Sequence, residues 1–502
     1  MAKGAMPVLV GVGQSMSQWD GKSGADGAPS PLSLARDASK AALKDAGVDA
    51  GEIDALTFVR IFEDSVPSAP HPHGHNTNLP GTLARDLGAS PSKLIYSDVG
   101  GQSPQALANE MANRIHAGEF DVALVAGSEA NRASKGARKN GVEIDWADDS
   151  DLAYEDRGLG GQMLSRPEIK HGLIAPAFFY AMFENAIAAR EGRSRSGQRE
   201  AMAKLFQPFT ARAAQNPYSQ FPVERSVDFL KTPSPENYEF ADPYLKWHIA
   251  QDAVNQGAAI LVMSEDKADA LGVSKEKRVY LHGGGEASDS FISERPMLDG
   301  SWAMEQAIGK ALDQAGKDSG TMKYFDLYSC FPCAVFSSAQ VLDINPFTDK
   351  RPLTLTGGLP FFGGPGNNYS MHGLASMADA LRADPGSFGL VLANGGWMTK
   401  EAAGVWSTAR PDAYKPTAAS VKATEKVELE SAPTTGTIET FTVVHGRKGA
   451  EHGVIFARTG DGKRFIAKAT PDALERLRED SSPVGAAVTV ETADEVNTFR
   501  FA

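Results

Sequence analysis

The sequence predicts an α/β protein of two similar halves followed by a small all-β domain. Three observations carry this expectation. Short apolar runs alternate with amphipathic helical stretches from Pro7 onward, the signature of strands and covering helices. The same order of elements begins again after Lys277, a weak internal repeat. Beyond a polar Ala/Thr/Lys/Pro-rich stretch at 411–433, short alternating strands replace helices. At 502 residues the chain is also too long for one compact domain.

The elements follow in order. "PVLVGVGQS" (7–15) is an apolar run ending in a glycine-containing loop, and reads as a buried strand. Leu32, Leu34, Ala35, Ala38, Ala41, Leu43 and Ala46 then recur at helical spacing. Ser30 is placed to cap this helix, Pro31 to occupy its first turn and Gly47 to stop it. "ALTFVR" (55–60) is a strand, "SPQALANEMANRIHAGEF" (103–120) a helix and "DVALVAGSEA" (121–130) a strand. Such alternation predicts a mostly parallel sheet. The pattern loosens over about 131–242, which reads as an insertion capping the sheet. It resumes with a strand and helix at 256–273. The expected boundaries are 1–276 for the first half, 277–410 for the second, 411–433 for a linker and 434–502 for an OB-like barrel. One hairpin of that barrel turns at Gly460, Asp461 and Gly462.

Composition excludes several function classes. Fifty basic against 63 acidic residues give a net charge of -13, which argues against nucleic-acid binding. Two cysteines cannot build a disulfide framework and suit a reducing compartment. The N-terminal apolar run is too short for a signal h-region, and no segment approaches a membrane span. A cytoplasmic protein with no membrane partner is expected.

Both cysteines stand in "YSCFPCAVFSS" (328–338). Such a pair could be a redox couple, half a metal site, a catalytic thiol with a bystander, or two small core residues. No second ligand pair supports zinc at this spacing, and no metal is expected there. The loop "HPHGH" carries His71, His73 and His75. Metal ligation, a substrate loop and plain solvation are all open for it. "GGG" (283–285) lacks the dinucleotide-binding pattern and reads as close packing. The basic run "AREGRSRSGQRE" (189–200) reads as exposed charge or as a contact for phosphates.

Several segments together resemble the thiolase superfamily. They are "PVLVGVGQS", "GGQSPQALANEMANRIHAGEFDVALVAGSEA", "NQGAAILVMSEDKADALG", "FDLYSCFPCAVF", "GGLPFFGGPGNN" and "LANGGWM", in family order across about residues 7–410. The resemblance implies two βαβαβαββ halves in a five-layer αβαβα core with an inserted loop domain. The additional β-domain resembles the appendage of thiolase-like proteins of mycobacteria and related bacteria. The implied chemistry is acyl transfer on coenzyme A thioesters: a cysteine at a helix N-terminus takes the acyl group, a histidine activates it and a second cysteine moves protons. Coenzyme A thioester would be substrate or ligand, with no permanently bound cofactor. A homodimer, or a partner subunit engaged through the C-terminal domain, stays open.

The chain departs from the family where the chemistry sits. The family's C-x-S-G falls on 101–104, so Gly101 replaces the nucleophile while Ser103 is kept. G-H-P falls on 363–365, so Gly364 replaces the histidine, and C-x-G falls on 393–395, so Ala393 replaces the second cysteine. Thiolase chemistry with the usual residues is ruled out, since glycine and alanine carry no nucleophilic atom. The first expectation is therefore an acyltransferase of acetyl-CoA acetyltransferase type with a rearranged site. Cys330 or Cys333 would be the thiol, His372 the base, and Tyr328 or Asn394 the oxyanion donor. Ser103, Gly358, Gly363, Asn368, Gly395 and Gly396 would line the substrate pocket. Against this stand a buried inert cysteine pair, a hydrogen-bonded core histidine and asparagines that satisfy turn backbone. The alternative functions are a catalytically silent protein binding CoA thioesters or a partner subunit, and a C–C lyase or decarboxylase acting without a covalent intermediate.

Overall fold

A computed structural model describes residues 4–502. β1 (Pro7–Met16) opens the first half. α1 (Pro31–Ala46) starts on a capping box in which Ser30 and Ser33 each bond the other's backbone. Pro31 sits in the first turn, where its missing N–H costs nothing, and Gly47 ends the helix at φ +69°. β2 (Ala55–Phe58), α2 (Leu79–Leu87), β3 (Lys93–Tyr96), α3 (Ser103–His116) and β4 (Val122–Glu129) follow in strict alternation. The insertion holds α4 (Asn131–Asn140), β5 (Glu155–Asp156), α5 (Arg166–Lys170), α6 (Pro176–Arg190), α7 (Arg195–Gln215), α8 (Val227–Lys231), β6 (Glu239–Ala241) and β7 (Tyr244–Leu245). β8 (Gln256–Ser264) and α9 (Glu265–Ala270) close the half.

The second half comprises β9 (Tyr280–Ser288), α10 (Trp302–Ala315), β10 (Met322–Leu327), α11 (Pro332–Val341), α12 (Tyr369–Ala383), β11 (Phe388–Gly395) and β12 (Lys400–Ser407). The sheets differ from the mostly parallel expectation in one respect, and in the same way twice. The first runs β1-β8-β4-β2-β3-β5, with β8 antiparallel to both neighbours and the other pairs parallel. In the second half, β12 lies antiparallel between β9 and β11, while β10 and β11 are parallel. In each half the last strand thus returns between the first strand and the parallel set. Sequence alternation shows that strands and helices follow one another, but not which strand is threaded back.

α1 and α2 cover the outer face of the first sheet. α3 and α12 pack between the two sheets, and α10 with α11 covers the far face, giving five layers. The repeat extends to a packing detail. Cβ atoms on Gly11 and Gly13 would strike the Ala42 and Ala38 carbonyls of α1, and on Gly283 and Gly285 those of Ala311 and Ala307 in α10. The "GGG" is therefore a close strand–helix approach.

Residues 411–433 run along the second half: β13 (Val421–Lys422) pairs with β9, and the Val427 N–H donates to the Glu294 carbonyl at 2.8 Å. β14 (Thr435–Gly446), β15 (Gly449–Arg458), β16 (Arg464–Ala469), α13 (Pro471–Leu477), β17 (Ala487–Ala493) and β18 (Val496–Phe501) follow. The strands close in the order β14-β15-β16-β18-β17-β14, an OB-like barrel around Ile438, Phe441, Val443, Ile455, Phe465 and Phe499. β6 joins β14 at its edge, so strands of the insertion extend the barrel's sheet. Behind them, Asn185 of α6 donates to the Asp242 and Phe441 carbonyls at 2.9 and 2.8 Å. Among the described residues no helix is long and apolar enough to cross a membrane.

Candidate functional site

The turn before α3 and the turn before α11 meet at the heart of the core. Gly101 lies in the first turn and Tyr328 in the second. A Cβ on Gly101 would come closer than 3.0 Å to the Tyr328 hydroxyl and to the Asn394 carbonyl. The volume of the family's nucleophilic side chain is thus filled by a phenol from the neighbouring turn. Tyr328 is held there by an edge-on contact with Tyr369, centroids 5.3 Å apart. Gly364, where the family has histidine, is different: the nearest heavy atom to a Cβ there, Leu359 Cδ2, lies at 3.4 Å, an ordinary contact.

Around Tyr328 the structure brings together Cys330, Asn394, Tyr180 and Glu401. Asn394 Nδ2 donates to the Tyr180 hydroxyl at 3.2 Å and faces Cys330 Sγ at 3.9 Å, while its Oδ1 accepts from Met398 N at 3.1 Å. Tyr180 stacks on Phe331 at 4.2 Å. Burial pushes the Cys330 thiol up to about 12, against the bond from Tyr180. Glu401 is itself fully enclosed, neither carboxyl oxygen has a hydrogen-bond partner, and burial holds it far above the usual carboxylate range. Burial thus favours the protonated form of both groups, against the Arg295 charge that lowers Glu401.

Cys333 stands in the first turn of α11, where the helix end alone would favour a thiolate. Burial, with the Glu184 charge adding, raises it well above a free thiol. Its sulfur lies 3.2 Å from the Tyr244 hydroxyl oxygen and donates to the Tyr180 carbonyl at 3.5 Å. Tyr244 gives its one hydroxyl proton to Glu184 at 2.9 Å, and Gln198 bonds the other Glu184 oxygen.

Burial pushes Glu184 up to about 7 against those two bonds. Its folded value lies above the ordinary 4.5, so its contribution to stability is complete below that value and is lost as pH rises towards 7. Glu184→Gln cannot lose a proton. Its denaturant midpoint is expected to gain on the parent's as pH is raised through this window, and equal pH slopes for the two proteins would refute the assignment.

His372 is not near either thiol by hydrogen bonding. Its Nδ1 bonds Gln14 Oε1 at 2.7 Å, its ring packs edge-on against Phe362, and burial drives it down to about 3. Ser103 donates to the Asp98 carbonyl at 3.3 Å. Gly358 and Gly363 are buried in the turns, Gly395 is buried at the end of β11, and Gly396 is half-buried. Gly358 and Gly363 adopt φ +82° and +123°, backbone that favours glycine, and Gly396 adopts φ +58°. Asn368 lies over Gly127, with neither side-chain nitrogen nor oxygen partnered. The basic run at 189–200 is committed to intraprotein pairs: Arg190 to Asp299 and Gln340, Arg193 to Gln198, and Arg195 and Arg199 to Asp242.

Sequence reasoning missed Tyr180, Glu184, Tyr244 and Glu401. One signal was present: Glu184 and Asn185 interrupt the otherwise apolar "PAFFYAMFENAIAA" of α6. Charged and amide groups in a helix apolar on all sides must be bonded in the interior.

The architecture is that of the thiolase superfamily, and comparisons with known proteins place it more closely. Residues 416–495 match the family model described as thiolase-like protein type 1 additional C-terminal domain. A monomeric SCP2-thiolase-like protein type 1 from Mycobacterium smegmatis is 38% identical, with 99% of each chain covered and a TM-score of 0.83. The chain belongs to this SCP2-thiolase-like type 1 family. The acetyl-CoA acetyltransferase of Syntrophomonas wolfei shares the fold at 17% identity, covering 81% of this chain and 99% of that one, with a TM-score of 0.58. A human mitochondrial 3-ketoacyl-CoA thiolase in complex with CoA does so at 16%, covering 81% and 98%, with a TM-score of 0.57. No curated protein matches the chain.

Proposed function

We propose that this protein binds coenzyme A thioesters without forming an acyl-enzyme, the catalytically silent alternative drawn from the sequence. The observation that carries the reading is the Tyr328 hydroxyl over Gly101, which leaves no space for a nucleophile at the family's position. Acyl transfer by Cys330 or Cys333 would need a thiolate. Burial holds both thiols protonated, and His372 is bonded to Gln14 instead.

Support for ligand binding comes from an open groove between α6, α7 and residues 343–349. It consists of two adjoining hollows of about 500 and 640 Å³ that share Arg193, Pro346 and Phe347. Phe347 is 45% exposed and approaches Phe336 at 6.1 Å, and Lys204 lines the same wall. The exposed aromatic face suits stacking by an adenine ring, while Arg193 and Lys204 on the same wall would have to exchange their bonds to Gln198 and Glu200 for phosphates. The chain would act as a single copy, like its M. smegmatis relative.

Calorimetry with acetyl-CoA and longer acyl-CoAs is expected to show saturable binding that Phe347→Ala weakens. Intact mass after incubation is expected to stay unchanged. Absence of binding overturns the reading. So does an acyl adduct on Cys330 or Cys333 that the matching Cys→Ala change removes, which would restore the acyltransferase.

A second reading rests on Glu401. A neutral carboxylic acid beside Asn394, Tyr180 and Tyr328 is equipped to donate a proton and hold an oxyanion, the groups a C–C lyase without a covalent intermediate needs. Product formation from a β-hydroxy- or β-ketoacyl-CoA, lost in Glu401→Gln with binding retained, would favour it.

A further inference from the structure

We propose that Asp64, His71 and His75 form a binding site for one divalent transition-metal ion of the zinc class, independent of the thioester reading. The three residues sit in the long connection between β2 and α2. Each offers one ligand atom, and the three atoms lie within 4.8 Å of one another. His75 Nε2 is 3.0 Å and His71 Nε2 3.7 Å from the same oxygen, Asp64 Oδ1. A tetrahedral ion with bonds of about 2.0–2.1 Å sets its ligands about 3.4 Å apart, so the spread found brackets the spread needed. Two imidazole nitrogens and a carboxylate are a donor set suited to zinc, cobalt or nickel rather than magnesium.

The loop is built to present this set. The rings of His71 and His75 stack, centroids 3.9 Å apart and 26° between planes, which sends both Nε2 atoms to one side. His73, between them, turns the other way. Its ring packs on Trp146 and its Nε2 bonds the Ser134 carbonyl at 3.3 Å. The reversal falls at Gly74, φ +83°, where any Cβ would strike Ala147. Trp146 N–H donates to the His73 carbonyl at 2.6 Å, tying the loop to the start of the insertion.

A second layer of contacts orients the donors. Tyr96 donates its hydroxyl to Asp64 Oδ2, leaving Oδ1 free to face the imidazoles, and receives the Ile61 N–H at 3.2 Å. His71 Nδ1 lies 3.7 Å from Glu63 Oε2, which places a carboxylate behind the ring within reach of a hydrogen bond after a small movement. A cavity of about 120 Å³ is lined by Glu63, His71, Gly74 and His75 together with Asp145 and Asp148. It offers room for a water or small anion in the fourth position.

Another cluster shows the contrast. Glu239, Asp242 and His445 also converge, but Arg195 and Arg199 already supply the positive charge there. Among the described residues, Asp64 forms ion pairs only with the two imidazoles.

The test uses the full chain, stripped with a chelator and titrated with zinc chloride by calorimetry, with metal content read by mass spectrometry after dialysis. One zinc per chain is expected. His71→Ala/His75→Ala and, separately, Asp64→Asn are each expected to weaken binding more than about 100-fold. Tyr96→Phe, which removes the bond that orients the carboxylate together with the acceptor of the Ile61 N–H, should weaken it about 10-fold. Cobalt substitution of the parent is expected to give the intense visible absorption of a low-symmetry four-coordinate ion, a readout that needs no variant. Failure to bind zinc, stoichiometric zinc retained by a folded double variant, or a weak six-coordinate cobalt spectrum would each overturn the site.

Discussion

Asp242→Ala is expected to lower the unfolding free energy by about 3–5 kcal/mol, the scale of removing one member of a buried ion pair. Asp242 is fully enclosed at the junction of the insertion and the barrel. It accepts from Arg199 at 2.9 Å and from Arg195 at 3.1 Å, and His445 of β14 meets it at 3.2 Å. Removal leaves Arg199, whose side chain is 8% exposed, with less compensation for its own desolvation. Burial alone would raise the Asp242 carboxyl. The His445 bond and the two guanidinium charges outweigh it and hold the group below the usual 3.8. The folded value lies below the unfolded one, so this stabilisation is present above pH 3.8 and is lost as pH falls through the folded value. Denaturant unfolding of parent and variant measures the difference. Hydrogen exchange should show protection falling first where β6 meets β14, because that edge is held by a single strand pairing at Val444 and Ala241. Asp242→Asn keeps the shape and loses only the charge, so its cost should be smaller. A variant as stable as the parent would mean that the arginines solvate themselves elsewhere and the barrel needs no ionic clasp.

The fold was legible because its signals are local. Ser30, Pro31 and Gly47 mark both ends of α1, and the strand at Val122–Glu129 and the helix from Ser103 follow their apolar runs. The glycine-flanked turn at Gly460 and Gly462 falls between β15 and β16. Strand direction was not legible, because β8 and β12 are reversed by long-range pairing that leaves no trace in a period-two pattern. Nor was the union of β6 with β14, whose partners are some 200 residues apart in sequence.

For the site, the three substitutions at Gly101, Gly364 and Ala393 could be read from motif spacing, but what replaces the lost side chains could not. The hydroxyl above Gly101 comes from a turn more than 200 positions away, and Glu401 faces Asn394 only because β11 and β12 pair in that register. Two cysteines in one short motif drew attention for their rarity, yet a thiol's reactivity is set by its surroundings, and burial raises both of these thiols. The "HPHGH" histidines posed the reverse difficulty. The sequence marked them as a loop and left their roles open, whereas the structure shows Gly74 turning His73 away and leaving His71 and His75 together.

Gly101→Cys, which restores the family's nucleophile, is expected to yield a less stable protein with no acyl-enzyme. The new Cβ meets two obstacles. One is the Tyr328 hydroxyl, on a side chain only 5% exposed and packed against Tyr369. The other is the Asn394 carbonyl, backbone of β11 fixed by pairing with Glu401 of β12. Overpacking of this kind costs about 1–3 kcal/mol. Gly364→His should be milder, since only ordinary contacts surround a Cβ at that position. Adding Gly364→His and Ala393→Cys to Gly101→Cys is therefore expected to leave turnover undetectable while Tyr328 stays, because the attacking sulfur has no place to stand. Replacing Tyr328 by alanine in that background removes the movable obstacle but not the Asn394 carbonyl, so any adduct should form slowly. Intact mass after incubation with acetyl-CoA, beside denaturant unfolding of each variant, reads both effects. Stoichiometric acetylation of the Gly101→Cys single variant at parental stability would show that the phenol yields readily. The nucleophile position would then be open to an acyl group rather than filled by another side chain.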